Sequence, residues 1–215
     1  RLQNDLHCLA TSCPKHPNPG DELAAGYAGV CLKSLREDPA LPCQGLAIQG
    51  LWPVRRSDRL ATAVEALSGA GFATCGYDGR GNVVVSLERT TMLRSSTGLA
   101  TDAGENVQVP YLEAAIIQYL RAEMKADYAR CKSGPNGFIS KAGDRVVTQS
   151  EIEADLARHF MALEDRGWIE SADQMMSVTT VTRRESNKRR FDISIDRGEL
   201  MKQLRIIAMR ATFGA

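Results

Sequence analysis

The stretch that most constrains how this chain can fold is its end, from Gln174 to Ala215. Phe191, Ile193 and Ile195 alternate with Asp192, Ser194 and Asp196, the period of two that marks a half-buried strand. Upstream, residues 175–184 (MMSVTTVTRR) are rich in β-branched side chains and read as a partner strand. The two runs meet across Glu185, Ser186, Asn187 and Lys188, which predicts a hairpin with a short loop. Asp196 then offers an N-cap to a short turn through Leu200. The final run, residues 204–213 (LRIIAMRATF), puts Leu204, Ile206 and Ala208 on one face. Ile207, Met209, Ala211 and Phe213 fall on the other. A strand apolar on both faces needs cover on both sides. It is therefore either central to its own sheet or completed by another chain.

The rest of the chain alternates strands and helices. Residues 4–11 read as an opening strand that runs into a loop with three prolines and a glycine. A helix over 21–38 carries Leu23, Tyr27, Val30 and Leu35 on one face and ends at Pro39 and Pro42. Residues 43–51 (CQGLAIQGL) form a short apolar strand stopped by Trp52 and Pro53. Ser57 or Asp58 caps a second helix, closed by Gly69 and Gly71. Residues 72–93 read as a hairpin turning at Asp78–Asn82, and residues 95–109 as an exposed polar loop. Pro110 suits the first turn of a long helix with the stripe Leu112, Ile116, Tyr119, Leu120 and Met124. A Gly-rich link leads to Thr148 or Ser150 as cap of a helix with Ile152, Leu156, Phe160 and Leu163 at helical spacing. The expected order is β-α-β-α-β-β-α-α-β-β-β, an α/β (α+β) fold with a mixed sheet flanked by helices. Residues 1–215 read as one core domain, with 173–215 as its closing β-rich segment.

At 215 residues, 43% hydrophobic and 25% charged, the chain can bury a substantial core. A net charge of +1 gives no reason to expect nucleic acid or an anionic membrane as partner. No apolar run approaches the roughly 20 residues a membrane helix needs, so no membrane insertion is expected. The chain begins at Arg1 with neither methionine nor signal peptide and reads as a fragment or processed product. Six dispersed cysteines (Cys8, Cys13, Cys31, Cys43, Cys75, Cys131) lack a C-x-x-C pair and point to reduced thiols made in a cytosol.

The chemistry-bearing residues are sparse. His7, Cys8, Cys13 and His16 are four potential zinc ligands close in sequence. Adjacent His7 and Cys8 point to opposite faces of a strand, which argues against a shared metal. A Cys–His nucleophile pair has only His7, His16 and His159 to draw on, and His159 sits at the edge of a helix stripe, where a structural histidine is the ordinary reading. Glu151, Asp155, Glu164 and Asp165 lie beside Arg158 and Arg166 and read as a solvated ion-pair face. No phosphate-cradling glycine loop and no nucleophile elbow is present. Arg183, Arg184, Lys188, Arg189 and Arg190 form a basic run without interleaved aromatics, so a salt-bridging hairpin tip is favoured over nucleic acid. These residues support a non-enzymatic α/β domain with no catalytic residue, no metal and no cofactor.

Four segments in order carry a family resemblance. They are residues 4–11 with the Pro/Gly loop and helix segment ELAAGYAGV; GNVVVSLERTTML; VPYLEAAIIQYLRAEMK; and IEADLARHFMALEDRGWIE with NKRRFDISIDRGELMKQLRIIAMRATF. The last includes a Leu-x-x-Gln-Leu-Arg pattern at Leu200–Arg205. Together they resemble the C-terminal half of the tail sheath proteins of contractile-tailed phages, particularly the Mu-like group. The resemblance places those proteins' N-terminal arm and inserted outer domain outside this chain. It implies an α/β core whose subunits stack as hexameric rings in a helical tube, and it implies no active site. The implied partners are neighbouring sheath subunits, the tail tube protein, and baseplate and tail terminator proteins. The implied location is the virion, after assembly in the host cytoplasm, and the implied task is contraction that drives the tube through the host envelope. Assembly contacts are then expected at Arg183, Arg184, Lys188, Arg189 and Arg190, and at Leu204, Ile206, Ile207, Met209 and Phe213. Cys8, Cys13 and Cys43, beside expected loops, are candidates for intersubunit disulfides in an oxidising medium. The sheath of a tailocin or type VI secretion system fits the same residues. A small cytosolic metal or thiol protein using His7, Cys8, Cys13 and His16 is the reading from a different class.

Overall fold

A computed structural model describes residues 4–5, 9–13, 15–54, 66–101, 106–140, 143, 145–188 and 190–195. Its elements are β1 (Thr11–Ser12), α1 (Gly20–Glu37), β2 (Ala73–Tyr77), β3 (Val83–Leu87), α2 (Gln108–Tyr128), β4 (Lys132–Ser133), β5 (Val146–Val147), α3 (Gln149–Asp165), α4 (Ala172–Ser177), β6 (Thr179–Arg183) and β7 (Phe191–Ile195). The α+β mixture expected from the sequence is present. Among the described residues it is built from three small sheets and not one large one: β1-β2-β3, β4-β5 and β6-β7. The first is mixed, with β1 parallel and β3 antiparallel to β2.

Both hairpins form where the turn chemistry put them. Asp78 closes the first, its Oδ1 accepting from the backbone of Arg80 and Asn82, each at 2.8 Å. Those bonds favour the ionised carboxylate, and with the Asn82 side-chain amide acting most strongly they hold its pKa below the usual range. The second pairs Thr179–Arg183 with Phe191–Ile195 in unbroken register. The helix stripes also hold. Leu112, Ile116 and Leu120 of α2 and Ile152, Leu156, Phe160 and Leu163 of α3 are buried in one cluster, with Met175 of α4 and Val181 of β6. Pro110 lies in the first turn of α2. Thr148 is the N-cap of α3 in a reciprocal capping box with Glu151. A second cluster joins Leu23, Tyr27, Cys31 and Leu35 of α1 to Val83 and Val85 of β3. Cys31 takes the buried place expected for Val30, which packs only partly against this cluster.

Three expectations are corrected. Among the described residues, the opening strand covers only Thr11–Ser12. Asn4 instead clasps the 93–94 backbone, accepting from the Leu93 and Arg94 amides at 2.7 and 2.9 Å and donating to the Arg94 carbonyl at 2.8 Å. Residues 43–51 do not form a strand. They run along the outer edge of β3, with bonds from Gly45 N to Val85 O, Val85 N to Leu46 O and Ile48 N to Val83 O. Gly45 and Gly50, at φ of +85° and +82°, turn the chain out of extended geometry at either end of this contact. Finally, Met175–Ser177, read as strand, belongs to helix α4, because the Ser171 side chain accepts from Gln174 N and caps it. Of the expected second helix, residues 66–69 are helical and the earlier part lies outside the described residues. The Asp196 cap and the run 204–213 lie outside them as well.

Candidate functional site

The basic hairpin tip is the first candidate. Arg183, Arg184 and Arg190 are held within the ribbon itself. Asp192 of β7 accepts from Arg184 Nε at 2.8 Å and from Arg190 Nε at 2.6 Å. The Arg190 hydrogen bond first, with Arg184 adding, holds the Asp192 carboxyl below its ordinary range. Arg183 Nε donates to the Lys188 carbonyl at 3.0 Å, and Ser133 Oγ of β4 donates to the same oxygen. The tip is thereby tied to β4; Arg184, Lys188 and Arg190 remain exposed, and Arg183 is half-buried. Arg189 lies outside the described residues, as do Leu204, Ile206, Ile207, Met209 and Phe213.

The described members of the His/Cys set, Cys13 and His16, do not converge on one point. Cys13 is buried, with Sγ 3.0 Å from the Tyr77 hydroxyl. His16 is half-buried, and its Nδ1 accepts from Asn18 N at 3.1 Å while burial lowers its pKa. Each side chain is thus committed to a different neighbour. His7 and Cys8 lie outside the described residues, among which no three metal-ligating side chains gather. Cys43 has exposed loop residues on either side, but its own side chain is 0% exposed and lies in the core. Its amide donates to the buried Glu88 carboxylate at 3.2 Å. A neighbouring subunit's thiol could meet Cys43 only if that core opened.

A polar node that sequence reading missed lies between α2 and α3. His159 is 4% exposed, with Nε2 3.3 Å from Asp127 Oδ2 and Nδ1 3.4 Å from the Tyr119 hydroxyl. Arg158 bridges Asp127 and Asp155 at 3.3 and 3.2 Å. The Tyr128 hydroxyl donates to Asp155. That bond, followed by the Arg158 charge, lowers the Asp155 pKa, while burial and the adjoining carboxylates raise that of Tyr128. Arg166 covers the Tyr119 ring at 4.7 Å and the Trp168 ring at 5.8 Å. Of the expected ion-pair face, Arg158 and Asp155 are paired, while two of its other acids serve the backbone. Glu151 accepts from Thr148 N at 2.8 Å and Glu164 from Ala172 N at 3.0 Å. His159 reads as the structural histidine the sequence suggested. Its partners came from a helix dozens of residues away, a pairing no local pattern encodes.

An apolar groove of about 670 Å³ opens between α1, β1 and the start of α2, walled by Leu9, Tyr27, Cys31, Leu35, Val107 and Tyr111. The Tyr27 hydroxyl is spent on the Leu87 carbonyl at 2.9 Å. The groove's wall therefore presents hydrocarbon and no arranged set of charges. No helix among the described residues is long and apolar enough to cross a membrane.

No protein-family model matches the chain. Against curated proteins, it is 28% identical over 217 aligned residues to the Mu-like prophage FluMu tail sheath protein of Haemophilus influenzae. That alignment takes in 98% of this chain and 43% of the relative, so the chain spans less than half of that protein's length. Among solved structures, it is similar to a chain of the anti-feeding prophage baseplate, with a TM-score of 0.58 and 15% identity over 88% of this chain and 49% of that one. It is also similar to the anti-feeding prophage helical sheath in the contracted state, with a TM-score of 0.55 and 15% identity over 86% and 48%. The resemblance read from the four sequence segments thus extends along the chain, and the fold is one that contractile particles use.

Proposed function

We propose that this chain is the C-terminal core of a contractile tail sheath subunit, a structural protein without catalytic residues. The observation that carries the reading is the alignment to a tail sheath protein across 98% of the chain, spanning both core clusters and both hairpins. The fold likeness to the anti-feeding prophage sheath supports it independently of sequence. In this role copies of the full-length protein stack as hexameric rings into a helical tube around an inner tail tube, between a baseplate and a tail terminator. A head-to-tail contact that does not close on itself generates such a polymer. Contraction then releases free energy stored in a metastable lattice and hydrolyses no nucleotide. Subunits assemble in the host cytoplasm and reside in the virion.

The faces assigned to neighbouring subunits are the β6–β7 tip, with Arg183, Arg184, Lys188, Arg189 and Arg190, and the apolar run from Leu204 to Phe213. Among the described residues this ribbon is two strands, and the edge of such a ribbon is one that another strand can extend. The sheath of a phage-like contractile device uses the same physics and is the second reading, favoured by the anti-feeding prophage likeness.

Negative-stain electron microscopy of the full-length gene product at high concentration tests the proposal. Hollow, cross-striated cylinders are the expected result. A uniform small particle under all assembly conditions would overturn it.

A further inference from the structure

β1 and β2 run parallel in the register Thr11↔Ala73 and Ser12↔Thr74. Continued by one residue, that register sets Cys13 beside Cys75. Directly opposed residues of neighbouring strands send their side chains to the same face. Tyr77, two residues beyond Cys75, lies on that face too, and its hydroxyl is 3.0 Å from Cys13 Sγ. The Cys13 thiol therefore lies over the Cys75 side of β2. Both residues belong to one core cluster, and both are free thiols. Neighbouring strands are about 4.8 Å apart, inside the Cα separation of about 4.4–6.8 Å that a disulfide bridges.

We propose that Cys13 and Cys75 are a redox pair, which a small disulfide oxidant of the glutathione class converts into an intrachain disulfide that clamps β1 to β2. The two thiols are unequal in a way that sets the order of events. The Cys75 hydrogen bond, with the Tyr77 hydroxyl adding to it, lowers the Cys13 pKa to about 7 against the opposing effect of burial. Cys75 is raised by its hydrogen bond to Cys13 and by burial. Cys13 is also the more exposed, at 9% against 1%. Moreover, among the described residues β1 is a two-residue strand paired to β2 alone, so local opening there is easy. The Cys13 thiolate attacks one sulfur of the oxidant, giving a mixed disulfide and expelling one glutathione thiolate. Cys75 then loses its proton to solvent and attacks the Cys13 sulfur, expelling the second. Two thiols are oxidised, the oxidant takes two electrons, and the two expelled thiolates pick up two protons.

The nearby Cys31 and Cys43 are poorer candidates. Cys43 Sγ is directed at the Cys31 carbonyl at 3.9 Å, and both residues are buried at 4% exposure or less. The Cys43 hydrogen bond and burial raise the Cys31 pKa, which keeps that thiol protonated.

The test treats the reduced, folded chain with oxidised glutathione, alkylates remaining thiols, and maps tryptic peptides by mass spectrometry. Expected is a linked pair of peptides carrying Cys13 and Cys75, from protein that stays monomeric on a non-reducing gel. The Cys75→Ala variant stops at a glutathione adduct on Cys13. The loop closed spans positions 13 to 75, so the oxidised chain should melt higher by on the order of 10 °C. Cys13 and Cys75 that both remain alkylated, or a Cys13 crosslink between two chains, would overturn the proposal. Because the readout needs no polymer, failure of this pair and failure of the sheath reading are separately visible.

Discussion

Individual side chains matter most here where a polar group is enclosed. Tyr128 and Asp155 tie α2 to α3, and the bond depends on an ionised carboxylate. The folded-state pKa of Asp155 lies below its ordinary value. Its stabilising contribution is therefore complete above the unfolded carboxyl pKa near about 4 and is lost as pH falls through the lower folded value. Tyr128→Phe removes the bond. Thermal melts from pH 7 down to pH 3 should show this variant below wild type at neutral pH and converging with it in acid. A constant offset across the whole range would contradict that account. Phe160 tests the apolar side of the same interface. It is 0% exposed, and Phe160→Ala should cost about 3–5 kcal/mol in urea denaturation, through lost burial and a cavity. A cost under about 1 kcal/mol would mean the cluster collapses around the deletion.

At the scale of elements, local signals and contacts made at distance divide the work. α3 begins where Thr148 and Glu151 cap each other, which satisfies backbone donors that a helix start leaves free. Thr148→Ala should destabilise the fold by about 0.5–2 kcal/mol, read from the denaturant midpoint at unchanged slope. α1 is positioned by a close approach. A Cβ on Gly26 would lie 2.8 Å from Ile48 Cγ2, too near for carbon atoms. Ile48 belongs to the segment along β3, so that absent side chain is what lets helix and segment touch. Gly26→Ala improves helix propensity yet should lower stability by about 1–3 kcal/mol, since the β-branched Ile48 methyl has little room to yield. A neutral or stabilising outcome would show that α1 can lift away freely. The β6–β7 ribbon makes the complementary point. Two strands alone are marginal in water. Phe191 and Ile195 pack on the cluster of α2 and α3, and Ser133 fastens the tip.

For the whole molecule, α2 is the shared member of both cores. Leu112, Ile116 and Leu120 serve one cluster, while Tyr111 and the preceding Val107 pack against the other. The two cores should therefore unfold together. Trp168 packs against the first core and Trp52 is 69% exposed, so fluorescence mainly reports the α2–α3 side. Its urea transition should coincide with that of far-ultraviolet circular dichroism. Two separated transitions would show that α2 does not couple the halves. In a sheath lattice, such coupling would let a load applied at the hairpin tip reach the sheet of β1, β2 and β3.

The sequence alone determined the features that depend on neighbours within a few residues. Helix stripes, the Thr148 cap and the hairpins at Asp78–Asn82 and Glu185–Lys188 all follow from periodicity, capping and turn chemistry. The order of segments also carried the likeness to tail sheath proteins, because it survives where no short motif does. Tertiary structure alone decided what depends on distant partners. Residues 43–51 had a strand's composition, yet glycines in left-handed geometry left them as a brace along β3. The Arg183–Arg190 run read as a salt-bridging hairpin tip, but only the fold identified its acid as Asp192, held between two of its arginines. Cys13 looked like a loop thiol until strand register placed it beside Cys75. In each case the deciding contact joins residues that sequence spacing leaves apart, and only the packed chain brings them within bonding distance.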